Sequence, residues 1–464
     1  MNRIVVVGGG ITGLAAAHRL HEINQSINVT LLEASARLGG TIQTDYRDGF
    51  LLERGPDSFI SEKPEALALA KRLGLESQLI ETNETHRRSF IVRNGRLRTV
   101  PEGFQLLAPS RLWPFITSDI FSLAGKARMA ADLFLPRKST NGVSDESLAS
   151  FVRRRLGEEA LARMAQPMVG GIYTADPETL SLRATLPRFL DMEQQHRSLI
   201  LAMLRQGRTQ TTGTSGARYS LFLSFDKGMQ VLVDALAHVK AVIRLNTRVE
   251  TLKRGDSGWT ITTNTGEQFQ ADAVCLALPA HTAASLLSDT NTQLAQKLNA
   301  ITYASTATIN FGYRRSAIKH PLNGFGFVVP FIEKSSLIAC TFTSVKFSGR
   351  APEDYVLLRA FAGGALQPEI FALDEATLSA RVETDLRELL GINEDPLFVE
   401  VAKWGRSMPQ YEVGHLDRVN EIEKLVRELP GFALAGNSYR GAGIPDCIRS
   451  GEAAAENLAT DKHG

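Results

Sequence analysis

The stretch Arg3-Ile4-Val5-Val6-Val7-Gly8-Gly9-Gly10-Ile11-Thr12-Gly13 decides the fold. Its opening run is apolar without alternation, which suits a strand buried on both faces of a parallel sheet. Gly8, Gly10 and Gly13 then interrupt it. The first permits a tight turn, the second lets the backbone approach a pyrophosphate, and the third lets a helix pack closely on the strand. Alanine-rich Leu14–Ile23 has helical spacing and Val29–Leu32 reads as a second strand, which completes a βαβ unit. The helix N-terminus offers free N–H groups and a positive dipole end to an anion. Glu33 ends the second strand 20 residues beyond Gly13, where a carboxylate accepts hydrogen bonds from ribose hydroxyls. Strand, turn, helix and acid together point to a bound dinucleotide, with Gly8, Gly9, Gly10, Ile11, Thr12, Gly13 and Glu33 around it.

Outward from this unit the chain runs to 464 residues, which predicts two or three lobes rather than one core. Apolar residues at 43% and charged residues at 22% are soluble globular values. A net charge of +2 provides no field for nucleic acid, so no nucleic-acid partner is expected. Cys275, Cys340 and Cys447 are odd in number and far apart, with neither disulfide nor metal spacing. No metal is expected, and a reduced cytoplasmic setting is the default. Met1 leads straight into Arg3–Val7 without the charged region and cleavage site of a secretory signal. No apolar run approaches the roughly 20 residues of a spanning helix.

The middle of the chain, from about 102 to 205, carries helical patterns broken by prolines. Strand patterns return at Val242–Leu245, Trp259–Thr263 and Val274–Leu278, with Asn264-Thr265-Gly266 as a hairpin turn. A further β-rich stretch covers 303–363, and helices are expected at 375–391 and 418–428. Phe432–Ala435, a glycine loop and a helix from Asp446 close the chain; Lys138–Asp145 reads as a flexible surface loop. The expected fold class is α/β. A Rossmann-like domain is assembled from discontinuous segments, 1–85, 220–285 and 405–464, with an inserted helical lobe at 86–219 and a mixed-sheet substrate domain at 286–404.

The residues after Glu33, Ala34-Ser35-Ala36-Arg37-Leu38-Gly39-Gly40-Thr41, resemble the second fingerprint of the large FAD family that includes amine oxidases, phytoene desaturases and porphyrinogen oxidases. Arg37 supplies a fork suited to phosphate, and the glycines let backbone pass close to the cofactor. The resemblance implies FAD and adds Ala34, Arg37, Gly39, Gly40 and Thr41 to its contacts. It further implies Gly55-Pro56-Asp57-Ser58 beside the isoalloxazine, Val249 and Trp404 as cofactor neighbours, and Gly436, Asn437, Ala442, Gly443 and Ile444 at the pyrimidine side.

Other stretches are similar to porphyrinogen oxidases in particular: Arg440 through Ile448, Met168 through Asp176, His196 through Ile200, Gly324 through Pro330, and Met408 through Tyr411. That resemblance implies a six-electron oxidation of a porphyrinogen in haem biosynthesis, with hydride passing to flavin N5 and oxygen leaving as peroxide. No catalytic acid or base is assigned. Coproporphyrinogen III is the leading substrate and protoporphyrinogen IX the alternative. More remote are an FAD amine oxidase or carotenoid desaturase, and a non-catalytic porphyrin carrier. Arg88 is a candidate for a substrate carboxylate, and Phe325, Phe327 and Phe347 for an apolar wall. Transient contact with the next enzyme of the pathway is an open partner. Phe104–Lys138 mixes aromatic and basic residues, which suits either peripheral membrane contact or a buried lobe.

Overall fold

A computed structural model of the chain describes residues 3–138, 145–207, 222–256 and 258–460; most of the loop expected at Lys138–Asp145 lies outside them. The first strand, Arg3–Val7, is central in a five-stranded parallel sheet. Its neighbours are Asn28–Leu32 and Ala273–Leu276, and the edges are Val242–Arg244 and Phe432–Leu434. Three distant parts of the sequence thus build one sheet. Both faces are buried, as the unalternating apolar run requires: Ile4 and Val6 join one core, Val5 and Val7 the other.

On the first face lie the helices Ile11–Ile23 and Ile444–Thr460. A Cβ on Gly451 would stand 2.2 Å from the Thr12 oxygen, so the last helix touches the first at backbone contact. On the other face sits an antiparallel meander, Val249–Gly255, Gly258–Thr263 and Gln268–Ala271, whose Trp259 ring lies 5.2 Å from Phe432. The predicted turn before Gln268 is present, with Gly266 at φ +79°.

A second, seven-stranded sheet runs Phe398–Pro409, Tyr303–Arg314, Tyr355–Gly363, Ala339–Phe342, Gly326–Val328, Phe90–Arg93, Arg96–Thr99. Asn94 and Gly95, at φ +51° and +67°, turn the last hairpin. This hairpin corrects the expected boundary at residue 86. Phe90 pairs in parallel with Phe327, so the hairpin extends the sheet of the other lobe and covers the free edge of its buried strand. The strand Phe398–Pro409 likewise crosses the expected boundary at 404/405.

The helical lobe packs around Phe104, Phe121, Phe151 and Phe189. At its centre Arg155 is fully buried against Asp132, and its remaining donors reach the carbonyls of Pro136 and Arg197 at 2.9 and 2.6 Å. A buried guanidinium is tolerable only when its donors are satisfied in this way. Among the described residues, no helix is long and apolar enough to cross a membrane.

Gly451→Ala forces a methyl into the backbone of the first helix. It should lower stability by about 1–3 kcal/mol, the usual cost of overpacking, read as a lower unfolding midpoint of the apoprotein.

Candidate active site

The first element of the site is backbone. Gly8 sits at φ +108°, and a Cβ on Gly13 would lie 1.9 Å from the Gly8 oxygen, so turn and helix meet only through glycine. Gly10 differs. Its φ of −72° suits any residue, and a Cβ there meets no atom within 4 Å. Helix Ile11–Ile23 has no side-chain cap and no acid in its first turn, which leaves its leading N–H groups available to an anion.

Glu33 holds this loop rather than merely facing it. One carboxylate oxygen accepts the Gly9 N–H and the other the Ser35 N–H, each at 2.7 Å. Its own carbonyl accepts from Thr247 at 2.8 Å, which fixes the chain leading to Val249. The Gly39 N–H donates to Gly9 at 2.8 Å, so the two glycine stretches lie side by side. Arg37 amends the sequence reading. Its guanidinium donates to the carbonyls of Leu38 and Ile42 at 3.1 Å and of Gly40 at 2.5 Å. Gly39 and Gly40, at φ +102° and +59°, curl the loop around the arginine and turn these acceptors inward, so they take the donors expected for phosphate. Ala34, Gly40 and Thr41 are exposed along this cradle.

Gly55-Pro56-Asp57-Ser58 follows, and a Cβ on Gly55 would lie 1.7 Å from the Thr41 oxygen. The Trp404 indole N–H donates to the Arg54 carbonyl at 2.9 Å, which brings Trp404 to this loop as expected. Arg359 donates to the Gly55 carbonyl. Asp57 is paired with Lys346 at 3.0 Å and lies 3.6 Å from Arg359. Burial alone would raise the Asp57 carboxyl; the two cations override it and hold the group well below the usual carboxylate range.

The third element is the C-terminal loop. Gly436 donates to the Ser450 hydroxyl at 3.0 Å. The Tyr411 hydroxyl donates to the Asn437 carbonyl and accepts from the Gly441 N–H at 2.9 Å, closing the loop on itself. Ala442, Gly443 and Ile444 then enter the last helix, where buried Asp446 binds Lys63 at 2.6 Å and Arg449 at 2.5 Å. These ties bring the glycine-rich start, the Gly55 loop and the chain end to one end of the parallel sheet, the usual place for a dinucleotide in such folds. The uncapped helix, the open Gly10 and the glycine-lined passage fit FAD.

A narrow cleft lies between helix Gln166–Tyr173 and the seven-stranded sheet, lined among others by Gln166, Gly170, Val329, Leu337, Ile338 and Gly364. Gly363 on its wall and Trp404 both pair with Thr306, which sets them about 10 Å apart across two strand spacings. The expected apolar wall is corrected here. Phe325, Phe327 and Phe347 are each at most 2% exposed and none lines the cleft. Phe327 packs on Phe342 in the sheet core, and the Phe347 ring lies under Lys346 and Arg350. Arg88 is exposed and likewise outside the cleft lining.

Residues 11–459 match the family model of flavin-containing amine oxidoreductases. The chain belongs to this flavin-containing amine oxidoreductase family. It is an FAD-dependent oxidoreductase. It is 37% identical to a coproporphyrinogen III oxidase of Bacillus subtilis, over 98% of each chain. It is 35% identical to one of Propionibacterium freudenreichii, over 98% of this chain and 90% of that protein. A crystal structure from Exiguobacterium sp. 255-15, of a protein provisionally assigned as a protoporphyrinogen oxidase, has 33% identity and a TM-score of 0.88, with 98% of both chains covered.

The reading of the sequence missed Lys346 and Arg359 as partners of Asp57, and Tyr411 as the clasp of the C-terminal loop. The Lys346 contact spans 289 residues and follows no local motif.

The open position at Gly10 gives a clean test. The fold tolerates a side chain there, so Gly10→Val should fold with parental stability yet purify without FAD, because the side chain fills the pyrophosphate approach. Glu33→Ala should retain FAD more weakly, by about 1.5–3 kcal/mol for a charged acceptor. Absorbance of released flavin per chain reads both; full FAD in folded Gly10→Val would misplace the phosphate loop.

Proposed function

We propose that this chain oxidises coproporphyrinogen III to coproporphyrin III, a step of haem biosynthesis, in an FAD- and oxygen-dependent six-electron reaction that releases hydrogen peroxide. The observation that carries the reading is the uncharged cleft whose wall at Gly363 stands two strand spacings from Trp404. Its lining is apolar or neutral, with Gln166, Thr174, Ser335 and Gln367 as the polar side chains and no charged residue. Hydride loss from a meso carbon needs orientation and dryness rather than an acid or base. The bound flavin supplies the hydride acceptor at N5. We assign this narrow cleft to one edge of a tetrapyrrole, with the reacting carbon directed toward Trp404.

The cofactor contacts we assign are those of the cradle: Gly8 to Gly13, Glu33, Ala34, Arg37, Gly39 to Thr41, Gly55 to Ser58, Val249, Trp404, Gly436, Asn437 and Ala442 to Ile444. Arg37 acts through the loop it holds. The segments 1–85, 220–285 and 405–464 form the nucleotide-binding part, with the hairpin Phe90–Thr99 and the strand ending at Pro409 reassigned to the substrate sheet. The names of the two bacterial relatives favour coproporphyrinogen III. Protoporphyrinogen IX is the second reading, favoured by the name given to the Exiguobacterium protein.

Peripheral membrane contact belongs to the same proposal. Phe104, Phe115 and Phe121 of the aromatic-basic segment are buried together, whereas Trp113, Leu123 and Phe134 are 73%, 84% and 81% exposed near Arg111 and Arg137. A transient encounter with the enzyme that consumes the product belongs to the same proposal.

With both porphyrinogens offered to the purified holoenzyme, kcat/KM should favour coproporphyrinogen III, and about three peroxides should appear per porphyrin. A reversed preference selects the second reading, and turnover of neither removes both. Anionic liposomes should carry the protein upward in a density gradient at low salt and lose it at high salt; flotation that only detergent reverses would contradict a peripheral contact.

A further inference from the structure

Beneath the Gly55–Ser58 loop lies a buried set of charges that the proposed reaction does not use. Lys346, Arg350 and Arg359 are at most 9% exposed, and Glu53 is fully buried. Lys346 faces Asp57 at 3.0 Å, the Ser58 hydroxyl at 3.2 Å, and the rings of Phe222 and Phe347. Arg359 faces the same Asp57 and the Gly55 carbonyl, and its Nε is buried without a hydrogen-bond partner. Arg350 donates to the Phe225 and Asp226 carbonyls and the Ser224 hydroxyl. Glu53 accepts from the Met229 N–H at 2.7 Å and the Thr44 hydroxyl at 2.8 Å; burial pushes it up to about 7. Three buried cations therefore lie around Glu53 and Asp57, the first only partly ionised at neutral pH, with exposed Asp226 also near Arg350.

An unbalanced positive charge in a dry interior is costly unless an anion faces it. Among the described residues, Asp57 alone forms ion pairs with Lys346 and Arg359, one carboxylate for two cations. Two-electron reduction of a flavin by hydride adds one negative charge, and the Gly55 loop is where the cofactor ring is assigned. We propose that Lys346 and Arg359 are positioning residues whose surplus charge, set behind the Gly55–Ser58 loop, raises the reduction potential of the bound flavin. This rests on the FAD placement and on no particular substrate. Asp57 orients both cations and cancels only one of them, so the loop carbonyl of Gly55 and the ring beyond it lie in a net positive field.

The test is the flavin midpoint potential of holoenzyme variants, measured by reductive titration against a reference dye without any porphyrinogen. Lys346→Gln should lower the reduced-to-oxidised ratio at a fixed potential about tenfold, near 30 mV for a two-electron couple. Lys346→Arg should restore it, and Arg359→Gln should shift it the same way as Lys346→Gln. In the parent, the fully reduced flavin should keep the absorbance of its anionic form into mildly acid solution. A merely structural role would change unfolding temperature or FAD retention and leave the potential where it was. Folded, FAD-loaded Lys346→Gln or Arg359→Gln with an unchanged potential overturns the proposal. If neither variant folds, a parent whose reduced flavin is the neutral form at neutral pH overturns it alone. Failure of either porphyrinogen to react leaves this measurement untouched, so the two readings fail separately.

Discussion

The hydrogen bonds from Gly9 and Ser35 to the two oxygens of Glu33 are the constraint on which the site depends. They tie the turn after the first strand to the end of the second. The turn then lies where Gly39 can bridge to Gly9 and where Gly451 can approach Thr12 at backbone contact. Take the carboxylate away and the part-buried Gly9 N–H loses its acceptor, at about 1–3 kcal/mol, while the exposed Ser35 N–H turns to solvent. The loop would then be free to drift from the geometry that an uncapped helix end needs to hold phosphate. A residue usually read as a ribose ligand is thus also the brace of its own loop.

Around that brace the chain solves a topological problem. A dinucleotide is long, and a single βαβ unit covers only half of it. The remaining contacts come from the Gly55 loop and the chain end, each delivered by its own anchor: Trp404 and Arg359 on the former, Tyr411 and Asp446 on the latter. Several of these anchors are polar groups at low exposure whose partners are backbone carbonyls or charges from another segment. They hold position because leaving them unpaired in the interior costs more than the order they impose.

The parts legible in the sequence were those whose physics is local. Ile4 to Val7, apolar without alternation, announce a strand buried on both faces. Asn264-Thr265-Gly266 announces a hairpin turn, and Gly8, Gly10 and Gly13 announce a phosphate loop, because each needs only neighbours in sequence. What could not be read is pairing at a distance. The hairpin Phe90–Thr99 was grouped with the helical lobe beside it, although its strand partner is Phe327. Phe327 and Phe347 read equally well as cleft wall or as core, since an apolar side chain carries no mark of what it faces. Arg37 was assigned to phosphate because a free guanidinium suits phosphate; the curled loop that consumes its donors is a tertiary fact.

The central claim is that the FAD held in this cradle takes its electrons directly from a porphyrinogen. Rapid anaerobic mixing of the holoenzyme with coproporphyrinogen III tests it most directly. The account predicts bleaching of the flavin at least as fast as steady-state turnover, together with the rise of porphyrin absorbance. A flavin that stays oxidised, or bleaches more slowly than the enzyme turns over, would contradict it.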